Sequence, residues 1–160
     1  MLAYLWIALV VFALDQWSKF EAVHYLARAS VRMDEYVNLT LVYNRGAAFG
    51  FLSQEGGWQN AFFVVVALAI VAGIGWFLRR ATRHDRLLVI ALMFVLGGAI
   101  GNLADRLRLG RVVDFIDFHI GSWHWYTFNL ADSAITLGAV LLALDALRSR
   151  RVTAQEKKEL

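Results

Sequence analysis

Cysteine and proline are both absent from the 160 residues. Without cysteine there is no disulfide framework, thiol nucleophile, thiolate metal site or haem-attachment motif. The lack of proline is unusual for a chain of several helices, whose connections normally carry some. Charge is scarce too: 18% of the residues are Asp, Glu, Lys or Arg, against roughly 25% in ordinary soluble domains. Apolar side chains make up 59% instead, above the usual share of about 45–50%, and this excess points to a membrane. The net charge of +3 is bunched along the chain rather than spread over one face, which argues against nucleic acid as a partner. The length suits one domain, and no internal repeat, low-complexity stretch or linker interrupts it.

Apolar runs lie at about 2–26, 61–78, 87–103 and 130–147. Each approaches the roughly 20 residues that cross a hydrocarbon core of about 30 Å. The second run carries no charge, and the third stays uncharged until Asp105. Asp15 and Lys19 break the first, while the fourth holds Asp132 near one end and Asp145 near the other. Ionisable groups inside a span are functional candidates. The connection 79–86 has four Arg in eight residues, and the tail 148–160 has five basic residues in thirteen. Positive-inside bias places both in the cytoplasm. The connections 27–60 and 104–129 hold three Arg each, diluted by acids, and are expected to face outward, leaving both termini inside. A cleavable leader is the rival reading of the first run, but that run lacks a basic start, carries Asp15 and Lys19, and precedes three more spans.

The outward connections contain two strand-like stretches, YVNLTLVY at 36–43 and WHWYTF at 123–128. Both are rich in aromatic or β-branched residues. The expected fold is therefore an all-α integral membrane protein with four transmembrane helices and a small periplasmic β element at the outer membrane surface. Asp15, Lys19, Asn44, Arg45, Asn102, Asp105, Arg106, Asp114, Asp117, Asn129 and Asp132 all project to that one outer level. Asp15 and Lys19 are spaced as an i,i+4 ion pair, acid before base. The run GGAIG at 97–101 allows another helix to approach closely.

Several chemistries are excluded by pattern. Ser18 beside Lys19 and Ser133 beside Asp132 are helix neighbours that point to different faces, so neither forms a serine–base pair. G-x-S-x-G, H-E-x-x-H and the P-loop motif do not occur. His119 and His124 with Asp114 and Asp117 match no recognised metal-ligand spacing, so no metal is expected. Two carboxylates remain. Asp114 lies among Val, Phe and Ile in GRVVDFID, read as an outward loop, and Asp132 lies in the first turn of the fourth helix behind Asn129, a plausible N-cap. Burial raises a carboxyl pKa, a helix N-terminus lowers it, and two carboxyls sharing a site resist double ionisation. One protonated and one ionised carboxyl is the state that aspartic proteolysis needs. A structural reading stays open for each: Asp132 as a helix-dipole partner, and Asp114 or Asp117 as a loop residue paired with Arg106 or Arg111.

DQWSK (15–19), NRGAAFGF (44–51), GNLADR (101–106), GRVVDFIDF (110–118) and FNLADS (128–133) resemble, in order, the motif blocks of the bacterial lipoprotein signal peptidases, signal peptidase II. The resemblance implies a single membrane-embedded peptidase domain over 1–160 with a catalytic pair Asp114 and Asp132. Asp15, Lys19, Asn44, Gly46, Asn102, Asp105, Arg106 and Asn129 become supporting or substrate-binding residues, with Asp117 also supporting. It implies an aspartic endopeptidase that cuts diacylglyceryl-modified prolipoproteins on the amino side of the lipidated cysteine. No cofactor is implied. The expected setting is the bacterial cytoplasmic (inner) membrane, multi-pass, with membrane lipid as a partner, a monomeric enzyme, and the site near the periplasmic face. The alternative is a proton- or ion-coupled transporter, whose sites belong near the midplane at interrupted helices.

Overall fold

The computed structural model describes residues 2–46, 58–80 and 86–156. Residues 47–51 of the NRGAAFGF block, most of the arginine-rich connection and the last four residues of the tail lie outside this range. A 3-10 turn, Leu2–Tyr4, leads into α1 (Leu5–Tyr25); then follow β1 (Val31–Arg32), β2 (Val37–Asn44), α2 (Trp58–Arg80), α3 (Arg86–Leu109), β3 (Val112–Ile120), β4 (Trp123–His124) and α4 (Leu130–Glu156). Three of these helices, α2, α3 and α4, are long and apolar enough to cross a membrane. Helix α1 is long enough but carries Asp15, Lys19 and Glu21.

Helix α3 is the centre of the bundle and packs against α1, α2 and α4. Half of its most apolar window is buried, compared with 11% in α2 and 17% in α4. The outer helices thus turn most of their apolar surface away from protein, as lipid-facing helices do, while α3 meets its neighbours through small residues. At Gly98 an added Cβ would stand 2.5 Å from the carbonyl oxygen of Ala131, in the first turn of α4. Backbones come this close only where a side chain is missing. Gly98→Ala is accordingly expected to push α4 off α3, cost about 1–3 kcal/mol of stability, and lower the melting temperature in detergent together with peptidase activity. An unchanged melting temperature would show that the contact yields freely.

The two long connections meet in one antiparallel sheet of order β1-β2-β3-β4. Strand β2 pairs with β3 from Val37↔Phe118 to Asn44↔Val112, with an irregularity between Leu39 and Val42. The first strand-like stretch is thus β2, displaced by one residue. The second is mostly not strand: only Trp123 and His124 form β4, and Phe128 adds an isolated bridge to Ile116. The GRVVDFID segment is not a loop. It forms the nine-residue β3 at the middle of the sheet, because β2 on one side and β4 with the Phe128 bridge on the other satisfy its backbone. Helix α3 also continues past 103 to Leu109, so Asp105 and Arg106 belong to a helix and not to the connection. Phe115 packs with Ala22 and Leu26 at the end of α1, and this contact seats the sheet on the bundle.

Candidate active site

Asp132 is the third residue of α4, and its backbone N–H donates to Asn129 Oδ1 at 2.9 Å while Asn129 N–H donates to Asp132 Oδ2 at 3.2 Å. This is a reciprocal capping box with Asp in place of the usual Glu. Asn129 is therefore the N-cap. Its Oδ1 faces a backbone donor, so Nδ2 has to point the other way, where it reaches Asp114 Oδ1 at 2.7 Å. One asparagine thus caps the helix that carries one carboxylate and grips the other.

Two more amides have their orientation decided by an unambiguous donor. Asn102 Oδ1 accepts from the Lys19 ammonium at 2.9 Å, which turns Asn102 Nδ2 onto Asp132 Oδ1 at 2.8 Å. Asn44 Oδ1 accepts from Gly46 N–H at 2.8 Å, which turns Asn44 Nδ2 onto Asp114 Oδ2 at 3.0 Å. Gly46 adopts φ +112, and a Cβ there would run into the Phe63 ring, so this N–H can be delivered only by glycine.

Behind the dyad lies an ionic cluster. Lys19 Nζ is 2.9 Å from Asp15 Oδ2 and 3.0 Å from Asp105 Oδ2, with all three side chains buried. Gln16 Nε2 donates to both carboxylates. The remaining contacts of the two acids explain the cluster's place in the fold: Asp15 Oδ1 takes the N–H of Ala131 at 2.9 Å, and Asp105 Oδ2 takes the N–H of Val113 at 3.1 Å. Each acid holds the residue immediately before one member of the pair, Ala131 before Asp132 and Val113 before Asp114. Spacing alone revealed the Asp15–Lys19 pair. It did not reveal Gln16, although Gln16 lies three residues before Lys19 on the same helix.

Asp114 is almost completely buried, at 1% exposure. Burial, followed by the negative charge of Asp132, pushes its carboxyl up to about 6, against the pull of the Asn44 and Asn129 hydrogen bonds. Both carboxylates line a cavity of about 730 Å³ together with Asn102, Arg106 and Tyr126. Its walls include Phe63, Val112, Phe128, Leu137 and Val140. The Arg106 guanidinium stands 4.9 Å over the Phe63 ring. Tyr126, whose hydroxyl accepts from Asn44 Nδ2, was missed because its stretch reads only as an aromatic-rich strand.

Asp117 is not in this group. Three positions from Asp114 on a strand, it points to the opposite face, where its carboxylate meets His124 Nδ1 at 2.9 Å and Asn38 Nδ2 at 3.4 Å. Among the described residues, no three His, Asp or Glu side chains gather as a metal site. Neither Arg106 nor Arg111 takes up Asp117, and Arg111 instead lies 3.7 Å over the Tyr43 ring.

One buried and one half-buried carboxylate linked through neutral amides, in a cavity open to an apolar helix face, are the geometry of an aspartic peptidase working beside lipid. The family model described as signal peptidase (SPase) II matches residues 7–148. This chain belongs to the signal peptidase II family. The lipoprotein signal peptidase of Burkholderia thailandensis is 48% identical over 149 residues, covering 92% of this chain and 89% of that protein. That of Alteromonas mediterranea is 44% identical over 149 residues, covering 92% and 82%. Two solved bacterial membrane enzyme structures superpose with a TM-score of 0.80 each, at 28% and 30% identity, covering 94% and 92% of this chain and 90% and 94% of theirs. Membership in the signal peptidase II family makes the chain a membrane-embedded peptidase. It leaves the transporter reading without support.

Proposed function

We propose that this protein is an aspartic endopeptidase that removes the signal peptide from diacylglyceryl-modified prolipoproteins, cutting on the amino side of the lipidated cysteine, with Asp114 and Asp132 as the reacting pair. The observation that carries the assignment is Asn129, whose side chain donates to the Asp114 carboxylate and whose backbone N–H donates to the Asp132 carboxylate, with both acids lining one cavity. The two aspartates share one proton and titrate as a unit, and Asp114, with its raised carboxyl, is the member that holds it. Asp132 takes a proton from water as the water attacks the scissile carbonyl, while Asp114 gives its proton to the carbonyl oxygen. The resulting diol collapses: the C–N bond breaks, the proton held by Asp132 passes to the leaving amine, and one diol hydroxyl returns its proton to Asp114, which restores the singly protonated pair. No metal or organic cofactor enters these steps. Arg106 and Asn102 are placed to hold the substrate backbone and the dyad.

The Asp15–Lys19 ion pair inside α1 supports reading α1 as a fourth span beside α2, α3 and α4. With four spans, the basic connection and tail lie in the cytoplasm by the positive-inside rule, and the sheet and dyad lie at the periplasmic face of the bacterial inner membrane. The monomer brings every supporting residue from its own chain. Ser133, Thr136, Leu137 and Val140 extend from Asp132 along one face of α4 and line the cavity, giving a polar end for peptide and an apolar track for acyl chains. Lipid already provides most of the acyl-chain burial energy, so what the enzyme gains from the chains is alignment of the scissile bond. Diacylglyceryl-modified prolipoprotein is therefore expected to be cleaved about 100-fold faster than the unmodified form in the same vesicles. Equal rates would remove lipid recognition and leave a general signal-peptide-cutting protease.

A further inference from the structure

Asn44 is the last residue of β2, paired across to Val112, at the point where ladder support ends. Its amide nonetheless has to hold a fixed plane to bind Asp114. The torsion that sets that plane is intrinsically broad, so the constraint has to come from partners. Oδ1 takes Gly46 N–H at 2.8 Å, Nδ2 gives one hydrogen to Asp114 Oδ2 at 3.0 Å, and Nδ2 also donates to the hydroxyl oxygen of Tyr126. Tyr126 is itself held on a fixed backbone: Trp125 N–H donates to Phe118 O at 2.7 Å, and Phe128 exchanges hydrogen bonds with Ile116 at 2.8 and 3.0 Å.

We infer that Tyr126 is a positioning residue of the dyad, its hydroxyl locking the Asn44 amide in the orientation that binds the Asp114 carboxylate. The inference rests on Asp114 and Asp132 being the reacting pair. It extends the site to Tyr126, which lies between β4 and α4 and outside the family motif blocks. Burial and the charges of Asp114 and Asp132 push the phenol up to about 12, so it stays neutral over the working range and acts as a hydrogen-bond partner. Among the described residues, the other charged groups acting on Asp114 are Asp132 from α4, Arg106 from α3 and Lys19 from α1. Tyr126→Phe leaves all of these in place. It removes one of the contacts that hold the Asn44 amide, weakens a hydrogen bond that favours ionised Asp114, and so raises the Asp114 carboxyl further.

The test is a pH titration of full-length wild type, Tyr126→Phe, Asn44→Ala and the double variant in lipid vesicles. It is read both as cleavage of diacylglyceryl-modified prolipoprotein and as the infrared band of the protonated Asp114 carboxyl, assigned by its loss in Asp114→Asn. The infrared reading needs no turnover. Tyr126→Phe is expected to move the Asp114 titration, and with it the alkaline limb of kcat/KM, upward by about 0.5–1 pH unit. In the Asn44→Ala background the same change is expected to add no shift. An unmoved titration in Tyr126→Phe, with or without lower thermal stability, would overturn the inference, as would an equal shift in the Asn44→Ala background. Full turnover by Asp114→Asn would instead defeat the dyad assignment itself.

Discussion

Asp114→Asn and Asp132→Asn are each expected to lower kcat for prolipoprotein cleavage by about 10²–10⁴-fold, the range associated with a positioned acid or base, and the protein should remain folded and membrane-inserted. Both substitutions keep side-chain volume and remove a titrating site. At position 132 the amide oxygen still accepts from Asn129 N–H, so the α4 cap survives. Asn at 114 has to turn one NH₂ toward an existing donor, from Asn44 or Asn129, losing one hydrogen bond while relieving the burial of an ionisable group beside Asp132. The two effects offset, and the melting temperature should stay within a few degrees of wild type. The wild-type pH profile carries the same assignment. Activity needs the single shared proton, so kcat/KM is expected to fall as pH rises through the Asp114 carboxyl of the free enzyme, at about 6, and kcat to fall at a higher pH once substrate displaces water. Near-normal turnover by either variant would sink the pair.

Lys19→Met is expected to be the most destabilising single change in the chain. Its ammonium lies 2.9 and 3.0 Å from two carboxylates, and the side chain is only 4% exposed, so it cannot reach water by snorkelling without giving up both partners. Removing one partner from a buried ionic group leaves charge uncompensated and costs about 3–5 kcal/mol. For a chain of this size, that corresponds to a drop in melting temperature on the order of 10 °C. Activity should fall with it for a separate reason. Lys19 orients Asn102, and Asn102 donates to Asp132, so the loss reaches the dyad in the fraction that remains folded. A Lys19→Met protein that melts like the wild type would show that the cluster contributes nothing net to folding.

The ion pair and the membrane character of the helices were legible before any coordinates because each depends on short-range pattern, whereas Asp114 and Asp132 were paired only through the family resemblance. Partition between lipid and water acts residue by residue, so a run of about 20 apolar side chains announces itself. Asp15 and Lys19 announce themselves through helical spacing, and Asn129 through its place before Leu130. What the sequence determined by itself was therefore the set of apolar helices, their polar breaks and the single level at which most of the chemistry-bearing residues collect. The state of Asp114 was not legible. VVDFIDFHI has no clean apolar–polar alternation and holds two Asp, a residue depleted in strands, yet it is the middle of the sheet because it finds β2 some seventy residues earlier in the chain. Only the tertiary structure could decide that, since a strand's backbone is satisfied by partners from elsewhere while a helix satisfies its own. The same reason governs the separation of Asp117 from the site and the meeting of Asn44 with Tyr126. Both follow from pairing register and packing between distant segments, which no local spacing records.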